Sequence, residues 1–174
     1  MGYDRGLMTI EYRIAQPEEY GEVADVLLSA YRADGLIPSG TGYERYLADV
    51  AGRAVDSEVI VAVEDGTILG TVTFCPNGSS SAELSAPGEG EFRMLGVAPA
   101  ARGRGIGTGL AEYCIDRSRA LGYQAVLLSS APAMRSAHRI YERRGFVRVP
   151  ERDWSPNAQV DLLAYRLDLI GSPG

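Results

Sequence analysis

The sequence has no lysine, one histidine and two cysteines, and these shortages exclude several kinds of site. Without lysine, neither a Schiff-base enzyme nor a Walker-type nucleotide loop can be built. His138 stands far from Cys75 and Cys114 at spacings that no metal site uses, so we expect no metal and two free thiols. A serine hydrolase is disfavoured because no G-x-S-x-G elbow accompanies His138.

Long hydrophobic runs are also missing. No run approaches the ~18 apolar residues of a membrane span, and the opening MGYDRGLMTIEYRI has no signal-peptide pattern. We therefore expect a cytoplasmic protein without a membrane partner. The 174 residues, 45% hydrophobic and 23% charged, predict one domain over residues 1–174, with residues 1–8 as a flexible N-terminal extension.

Charge is divided unevenly along the chain. Residues 1–92 contain five arginines and sixteen acidic residues, whereas residues 93–174 contain twelve arginines and seven acidic residues. A basic half suits a polyanionic ligand and an acidic half suits a cationic one. The net charge of −6 argues against nucleic acid as a partner. The acids that hint at a cationic ligand are Glu18, Glu19, Glu22, Asp25 and Asp34.

Periodicity predicts strands and helices in the first half. TIEYRI (residues 9–14) alternates like a strand, and helical patterns follow over residues 17–33 and, more weakly, 43–54. Two alternating runs flank Asp65-Gly66, the two-residue loop typical of a type I′ hairpin. PNGSSSAELSAPGEG (residues 76–90) is rich in Ser, Gly and Pro and predicts a mobile loop.

The second half predicts a strand, a glycine-rich turn and a helix, followed by a strand, a helix and two closing strands. The first strand is EFRMLGV, and the nearly all-apolar QAVLLSS is typical of a central strand. In the turn GVAPAARGRGIGTGL, backbone N–H groups can converge on an anion at the start of the next helix. The dinucleotide fingerprint fails because its third glycine, counted from Gly103, falls on Thr108.

The same turn meets the pattern R-x-x-G-x-G with Arg102, Gly105 and Gly107. Together with LGV before it and AHRIYERRGF after it, the stretch over residues 91–147 resembles the GNAT superfamily of acetyl-CoA-dependent N-acetyltransferases. The resemblance implies an α/β fold with a central, mostly antiparallel, twisted sheet of about seven strands flanked by about four helices. It further implies acetyl-CoA as co-substrate, direct transfer to a primary amine of a small molecule or peptide in a ternary complex, and a homodimer.

The resemblance also implies roles for individual residues. Tyr141 would protonate the departing thiolate, and the N–H of Val97 would stabilise the oxyanion. One arginine would reach the 3′-phosphate of the cofactor, out of the run Arg135, Arg139, Arg143, Arg144, Arg148 and Arg152. The cofactor-binding residues would be Leu95, Gly96, Val97, Arg102, Gly103, Arg104, Gly105, Ile106, Gly107 and Thr108.

The base has several candidates. The period of two places Glu91 on the strand face of Arg93, Leu95 and Val97, so Glu91 or a water that it holds is expected to take the amine proton. Glu89 and a water chain without a dedicated base are the alternatives. A non-catalytic acyl-CoA-binding sensor on the same fold is the alternative function, which the presence of a catalytic-type tyrosine disfavours.

Two positions depart from the family pattern. Met134 stands where the family often has an asparagine. Ser129 and Ser130 occupy the region of the glutamate base found in enzymes that acetylate ribosomal-protein N-termini. The acceptor thus stays open between polyamine, amino acid, antibiotic and peptide terminus. Candidate walls of its pocket are Tyr31, Tyr43, Tyr46 and Trp154.

Overall fold

The computed structural model describes residues 9–37 and 42–169, so the predicted extension over residues 1–8 lies outside the described residues. The strands are β1 (Glu11–Ile14), β2 (Glu58–Glu64), β3 (Thr67–Cys75), β4 (Glu89–Val97), β5 (Ala125–Ser130), β6 (Val147–Arg148), β7 (Trp154–Asn157) and β8 (Val160–Asp168). The α-helices are α1 (Tyr20–Ala33), α2 (Tyr43–Ala48), α3 (Val50–Arg53), α4 (Ile106–Ala120) and α5 (Arg135–Arg143). Within these described ranges, no helix has the length and apolar character that a membrane span requires.

One sheet organises the described residues, in the order β1-β2-β3-β4-β5-β8-β6, with β7 paired to β8. Every pair is antiparallel except β4 with β5. The predicted mostly antiparallel sheet flanked by helices is therefore confirmed. The extra strand is β7, which lies between the two predicted closing strands. Its Pro156 and polar neighbours are not typical of a strand, yet Trp154 pairs with Leu162 of β8.

The weak helix predicted over residues 43–54 is divided at Asp49. This residue leaves the helical conformation, with φ −78° and ψ 65°, and its carboxylate accepts the Gly52 N–H at 3.0 Å. Asp favours such local bonds over continuing a helix. The result is two short helices, α2 and α3, so the described residues form five α-helices where about four were expected.

Helices cover both faces of the sheet. In β2, successive side chains point alternately to the helices on one face and on the other. Ile60 and Ala62 belong to the cluster under α4 and α5, whereas Val59, Val61 and Val63 pack toward α1. The following hairpin is as predicted. Its two loop residues have positive φ, 48° at position 65 and 76° at position 66, as a type I′ turn requires.

Strand β4 contains a bulge at Met94, which has φ 56°. Thr71 of β3 pairs with Gly96 and Thr73 pairs with Arg93, so β4 has one more residue than β3 over this interval. An extra residue shifts the alternation of side chains beyond it by one position.

The bulge makes the predicted common face of β4 wrong. Beyond it, Leu95 and Val97 pack against the α4/α5 cluster. A Cβ at Gly96 would lie 3.1 Å from Leu27, on the α1 side. Before it, Arg93 reaches Tyr46 of α2. Glu91 and Arg93, upstream of the bulge, thus do not share the face of Leu95 and Val97, which is the face of Phe92.

The parallel pair of β4 and β5 separates toward one end. Pairing extends from Glu89 opposite Ala125 only to Phe92 opposite Leu128. Beyond Phe92, β4 continues to Val97, and none of the described strands pairs with this part on its β5 side. Main-chain groups of β4 are therefore left open to a ligand at this edge of the sheet.

Candidate active site

Two cavities flank the opening between β4 and β5. The first, which we name the loop groove, has a volume of about 550 Å³ and is bounded by the end of β4, the glycine-rich loop and α5. The second, the aromatic cavity, has a volume of about 480 Å³ and is walled by Tyr31, Tyr43, Tyr46 and Trp154. A narrow space of about 20 Å³, lined by Tyr141 and Phe92, lies between them, and Tyr31 borders all three.

The backbone of the glycine-rich loop is arranged to bind an anion. Gly103 and Gly105 have φ 79° and 78°, a left-handed conformation that glycine adopts without strain. Helix α4 begins at Ile106, and the N–H groups of residues 103–108 donate to no acceptor in the part of the chain that the structure describes. These N–H groups sit at the positive end of the α4 dipole.

The loop groove carries an excess of positive charge. Its charged lining residues among those described are Arg102, Arg135, Arg143 and Asp34. Arg102 donates to both carboxylate oxygens of Asp34, at 2.8 and 3.1 Å. Arg135 and Arg143 form no ion pair with any described carboxylate. Two guanidinium groups are thus available to phosphate oxygens without breaking an existing ion pair.

Most of the predicted cofactor residues lie together in this groove, but Arg104 does not line it. Its guanidinium binds both oxygens of Glu64, at 2.6 and 3.0 Å. The sequence motif did not predict this long-range ion pair, because an arginine inside a phosphate-loop pattern is normally expected to bind the phosphate. Asp34 was also missed as a groove residue, since its partner is 68 positions away in the sequence.

Tyr141 is buried, with 4% of its surface exposed, beside the narrow space between the two cavities. Its ring packs edge-on against Phe92 and Phe146, at centroid distances of 6.0 and 5.9 Å. Burial raises the pKa of Tyr141, so the hydroxyl stays protonated at neutral pH. A fixed, protonated phenol at this place suits a proton donor.

Glu91 is completely buried and lines neither cavity nor the space between them. Its Oε2 accepts the backbone N–H groups of Glu83, Leu84 and Ser85, at 2.9, 2.9 and 3.2 Å. Burial raises the pKa of Glu91, and these three donors act in the opposite direction. The base role of Glu91 stays a prediction. In this geometry the carboxylate binds the backbone of residues 83–85.

The carboxylate of Glu89, the alternative base, is also engaged by other groups of the protein. It forms ion pairs with Arg152, at 3.0 Å, and with Arg166. The segment over residues 76–90, predicted to be mobile, is fastened by these carboxylates and by Asp56, which accepts the Ser80 N–H at 2.8 Å. Composition alone does not reveal such distant anchors.

Charged groups in the aromatic cavity are few: of its described lining residues, only Arg93 and Glu83 are charged. The acids that hinted at a cationic ligand lie elsewhere. Glu19, for example, binds Arg13 at 2.7 Å, and Asp34 lies in the loop groove. None of the acids of that hint lines the aromatic cavity, so they do not support a cationic ligand there.

His138 lies behind the serines at the end of β5. Its Nε2 is 3.2 Å from the hydroxyl of Ser130 and 3.1 Å from the carbonyl of Ala131. Burial lowers the pKa of His138, so the ring is neutral at pH 7. The contact with the Ala131 carbonyl requires an N–H at Nε2, so this nitrogen orients Ser130 rather than accepting its proton.

Cysteines and metal ligands can also be placed. Cys75 and Cys114 are both buried and free, and burial raises the pKa of Cys75 to about 12. Over residues 9–37 and 42–169, no group of three or more His, Cys, Asp or Glu side chains is arranged to hold a metal ion.

Comparison with known proteins connects this geometry to a family. The model of the Acetyltransferase (GNAT) family matches residues 22–146. A mycothiol acetyltransferase of Cellulomonas flavigena is 35% identical over 91 residues, which are 51% of this chain and 26% of that relative. The chain spans about a quarter of the length of the mycothiol acetyltransferases that it matches.

Solved structures share the fold. A GNAT-family acetyltransferase of Staphylococcus aureus Mu50 superposes with a TM-score of 0.74 at 16% identity, covering 92% of this chain and 99% of that one. A GNAT-family acetyltransferase of Brucella melitensis, solved in complex with acetyl-CoA, has a TM-score of 0.60 at 22% identity, covering 93% and 92%. With the family match extending over most of the chain, the protein belongs to the GNAT acetyltransferase family.

Proposed function

We propose that the protein transfers the acetyl group of acetyl-CoA to a primary amine by direct attack in a ternary complex. The observation that carries the proposal is the pair of cavities that meet at the narrow space beside Tyr141. One cavity has the backbone donors and arginines that a pyrophosphate needs, and the other can hold a second substrate. Juxtaposing two bound reactants in this way replaces a covalent intermediate on the enzyme.

The groove residues fit acetyl-CoA. The N–H groups of residues 103–108 and the guanidinium of Arg102 would bind the pyrophosphate, and Arg135 or Arg143 would bind the 3′-phosphate. The open edge of β4 from Leu95 to Val97 would pair with the amides of the pantetheine arm. Bound acetyl-CoA supplies an electrophilic thioester carbonyl and a thiolate leaving group.

The chain's own groups would then handle charge and protons. The N–H of Val97 would donate to the carbonyl oxygen as negative charge develops there. Tyr141 would donate its proton to the departing sulfur. The amine proton would pass to water in the aromatic cavity, where Glu83 is the one carboxylate among the described lining residues.

Four further features belong to this proposal. Residues 1–174 would form one acetyltransferase domain, since the described strands make one sheet. The protein would act in the cytoplasm, where a reducing environment suits two buried free thiols. It would form a homodimer, which light scattering during gel filtration measures. The acceptor would be an amine of a small molecule or peptide.

Calorimetric titration of acetyl-CoA into the protein tests the loop directly, with two matched glycine variants. Gly105 (φ 78°) and Gly122 (φ 75°) lie at opposite ends of α4, and no atom of the described residues approaches the position of a Cβ at either. Gly105→Glu and Gly122→Glu therefore introduce the same strain and charge. We expect micromolar binding, about −8 kcal/mol, in the wild type and in Gly122→Glu, and none in Gly105→Glu.

Turnover is then measured as thiol release with a panel of amines. Absence of acetyl-CoA binding in the wild type would refute the proposal, and equal binding by both variants would refute the role of the loop. Binding without thiol release from any amine would identify a non-catalytic acyl-CoA sensor instead.

A further inference from the structure

We propose that the acceptor is a small amine with an apolar, flat body and a carboxylate, and that Arg93 binds this carboxylate in the aromatic cavity. The inference rests on the proposed acetyl transfer and names the substrate class of the same site. It differs from the cationic ligand that the acid-rich first half suggested, because the charges that line the cavity are not those acids.

Arg93 is held rigidly at the cavity wall. Its Nη1 donates to the hydroxyl of Tyr46 and to the carbonyl of Ser81, both at 3.1 Å. The guanidinium carbon lies 5.6 Å from the ring centroid of Trp154, and only 11% of the side chain is exposed. A guanidinium fixed on one side by two acceptors and an aromatic ring loses little entropy when its other side binds a ligand.

The free side of Arg93 is the edge that recognises carboxylates. Its Nε and Nη2 donate to none of the described residues. Neither atom is among the fully buried polar atoms that lack a hydrogen-bond partner. These two N–H groups form the parallel pair that binds a carboxylate in a bidentate manner. Glu83 approaches only Nη1, at 4.0 Å, with 42% of its side chain exposed, so it competes weakly for the guanidinium.

The buried charged groups near Arg93 do not occupy its Nε and Nη2. Glu91 lies deeper, with its Oε2 bound to the loop N–H groups. Arg53, also buried, donates to the carbonyls of Tyr46 and Asp49. Glu91 attracts Arg93 electrostatically, but no hydrogen bond or ion pair joins these two side chains, so the Nε/Nη2 edge of Arg93 stays unoccupied by the described residues. A substrate with a second ammonium, such as a polyamine, would meet the guanidinium of Arg93 at the wall and be repelled.

The aromatic walls favour a flat apolar body. The rings of Tyr31 and Tyr43 lie 6.4 Å apart, those of Tyr43 and Tyr46 lie 6.1 Å apart, and Trp154 faces the same cavity. A volume of about 480 Å³ accommodates a small molecule of amino-acid or dipeptide size. Aromatic walls with one fixed guanidinium therefore match an amine that is apolar in its middle and anionic at one end.

Paired substrates test the inference. Thiol release from acetyl-CoA is measured with the twenty common amino acids, with their amides and with spermidine. Each amide has the lower amine pKa, so intrinsic reactivity favours the amide. We nevertheless expect kcat/KM to be at least ~10-fold higher for the acids, led by the aromatic ones, because only they engage Arg93.

Arg93→Met removes the anion site and keeps the apolar stem, and Arg117→Met is the matched control. Arg117 forms an ion pair with Glu58, at 2.8 Å, and lines neither cavity, so its replacement removes a guanidinium without touching the acceptor site. Arg93→Met should lower kcat/KM for acids about 100-fold, mainly through KM, and change the amides less than about threefold. Arg117→Met should leave both series unchanged, and circular dichroism verifies folding of both variants.

Several outcomes would overturn the inference while leaving the acetyltransferase intact. These are preference for amides or spermidine, turnover of no amino acid by a protein that binds acetyl-CoA, or equal losses for acids and amides in Arg93→Met. Failure of the wild type to bind acetyl-CoA would instead overturn the proposed function.

Discussion

Two substitutions of Glu91 separate a catalytic from a structural role. Its carboxylate accepts three backbone N–H groups and is fully buried. Glu91→Gln keeps the size and one acceptor oxygen but removes the negative charge that a base requires. Glu91→Ala removes the acceptor altogether. If Glu91 anchors the loop, Gln is tolerated and Ala is not, whereas a base fails in both.

The magnitudes follow from the three donors. Residues 83–85 are only partly covered, so each N–H that loses its acceptor costs about 1 kcal/mol, near the lower end of the usual range, and Ala costs about 3 kcal/mol in total. For a chain of this size, that corresponds to a fall in Tm of about 6–12 °C. Gln loses charge-assisted bonds but avoids burying a charge, so its free energy of unfolding should change by less than about 1 kcal/mol.

Urea unfolding and thiol release are measured for both variants. We expect Glu91→Gln to retain kcat within about threefold and Glu91→Ala to be destabilised as calculated. A Gln variant of native stability that loses kcat by about 100-fold would refute this reasoning and establish Glu91 as the base. Native stability of the Ala variant would refute the loop anchor independently.

Two other predictions concern Tyr141 and Glu19. Tyr141→Phe should lower kcat about 100-fold with an unchanged Kd for acetyl-CoA, because only the proton donor is lost; unchanged kcat contradicts that role. Arg13, helped by the Gln16 N–H, lowers the pKa of Glu19 from 4.5 to about 2, so Glu19→Gln should cost about 1 kcal/mol at pH 7 after solvent screening. A lowered pKa stabilises the fold above pH 4.5, and this gain is lost as the pH falls toward 2. Urea unfolding of variant and wild type should therefore converge at pH 2, and a constant difference down to that pH contradicts the ion pair.

Features that depend on neighbouring residues were predictable from the sequence. The hairpin at Asp65-Gly66 needs only two residues with positive φ between alternating runs, and both are present. The glycine-rich loop is similar, because its left-handed backbone needs glycines only at two positions close together before a helix, Gly103 and Gly105. The family resemblance that rested on this loop is confirmed by the match over residues 22–146.

Features that depend on distant partners were not predictable. Arg104 fits the loop pattern, yet Glu64, 40 positions earlier, binds it. Glu91 fits the position of a base, yet the backbone of residues 83–85 occupies its carboxylate. No local pattern distinguishes a charged side chain that faces a ligand from one that binds its own chain, because tertiary packing determines which partner is near.

The extra residue at Met94 determines which positions of β4 face the aromatic cavity and which face the loop groove. Arg93, before it, lines the aromatic cavity, and Leu95 and Val97, after it, line the loop groove. Deleting this one residue would restore regular alternation and leave Leu95 and Val97 on the groove side, but it would change their separation in sequence from Arg93 from an even to an odd number. Relatives that lack the extra residue would therefore need their acceptor-binding side chains at positions of opposite parity, so an alignment that ignores the bulge would assign substrate specificity to the wrong residues.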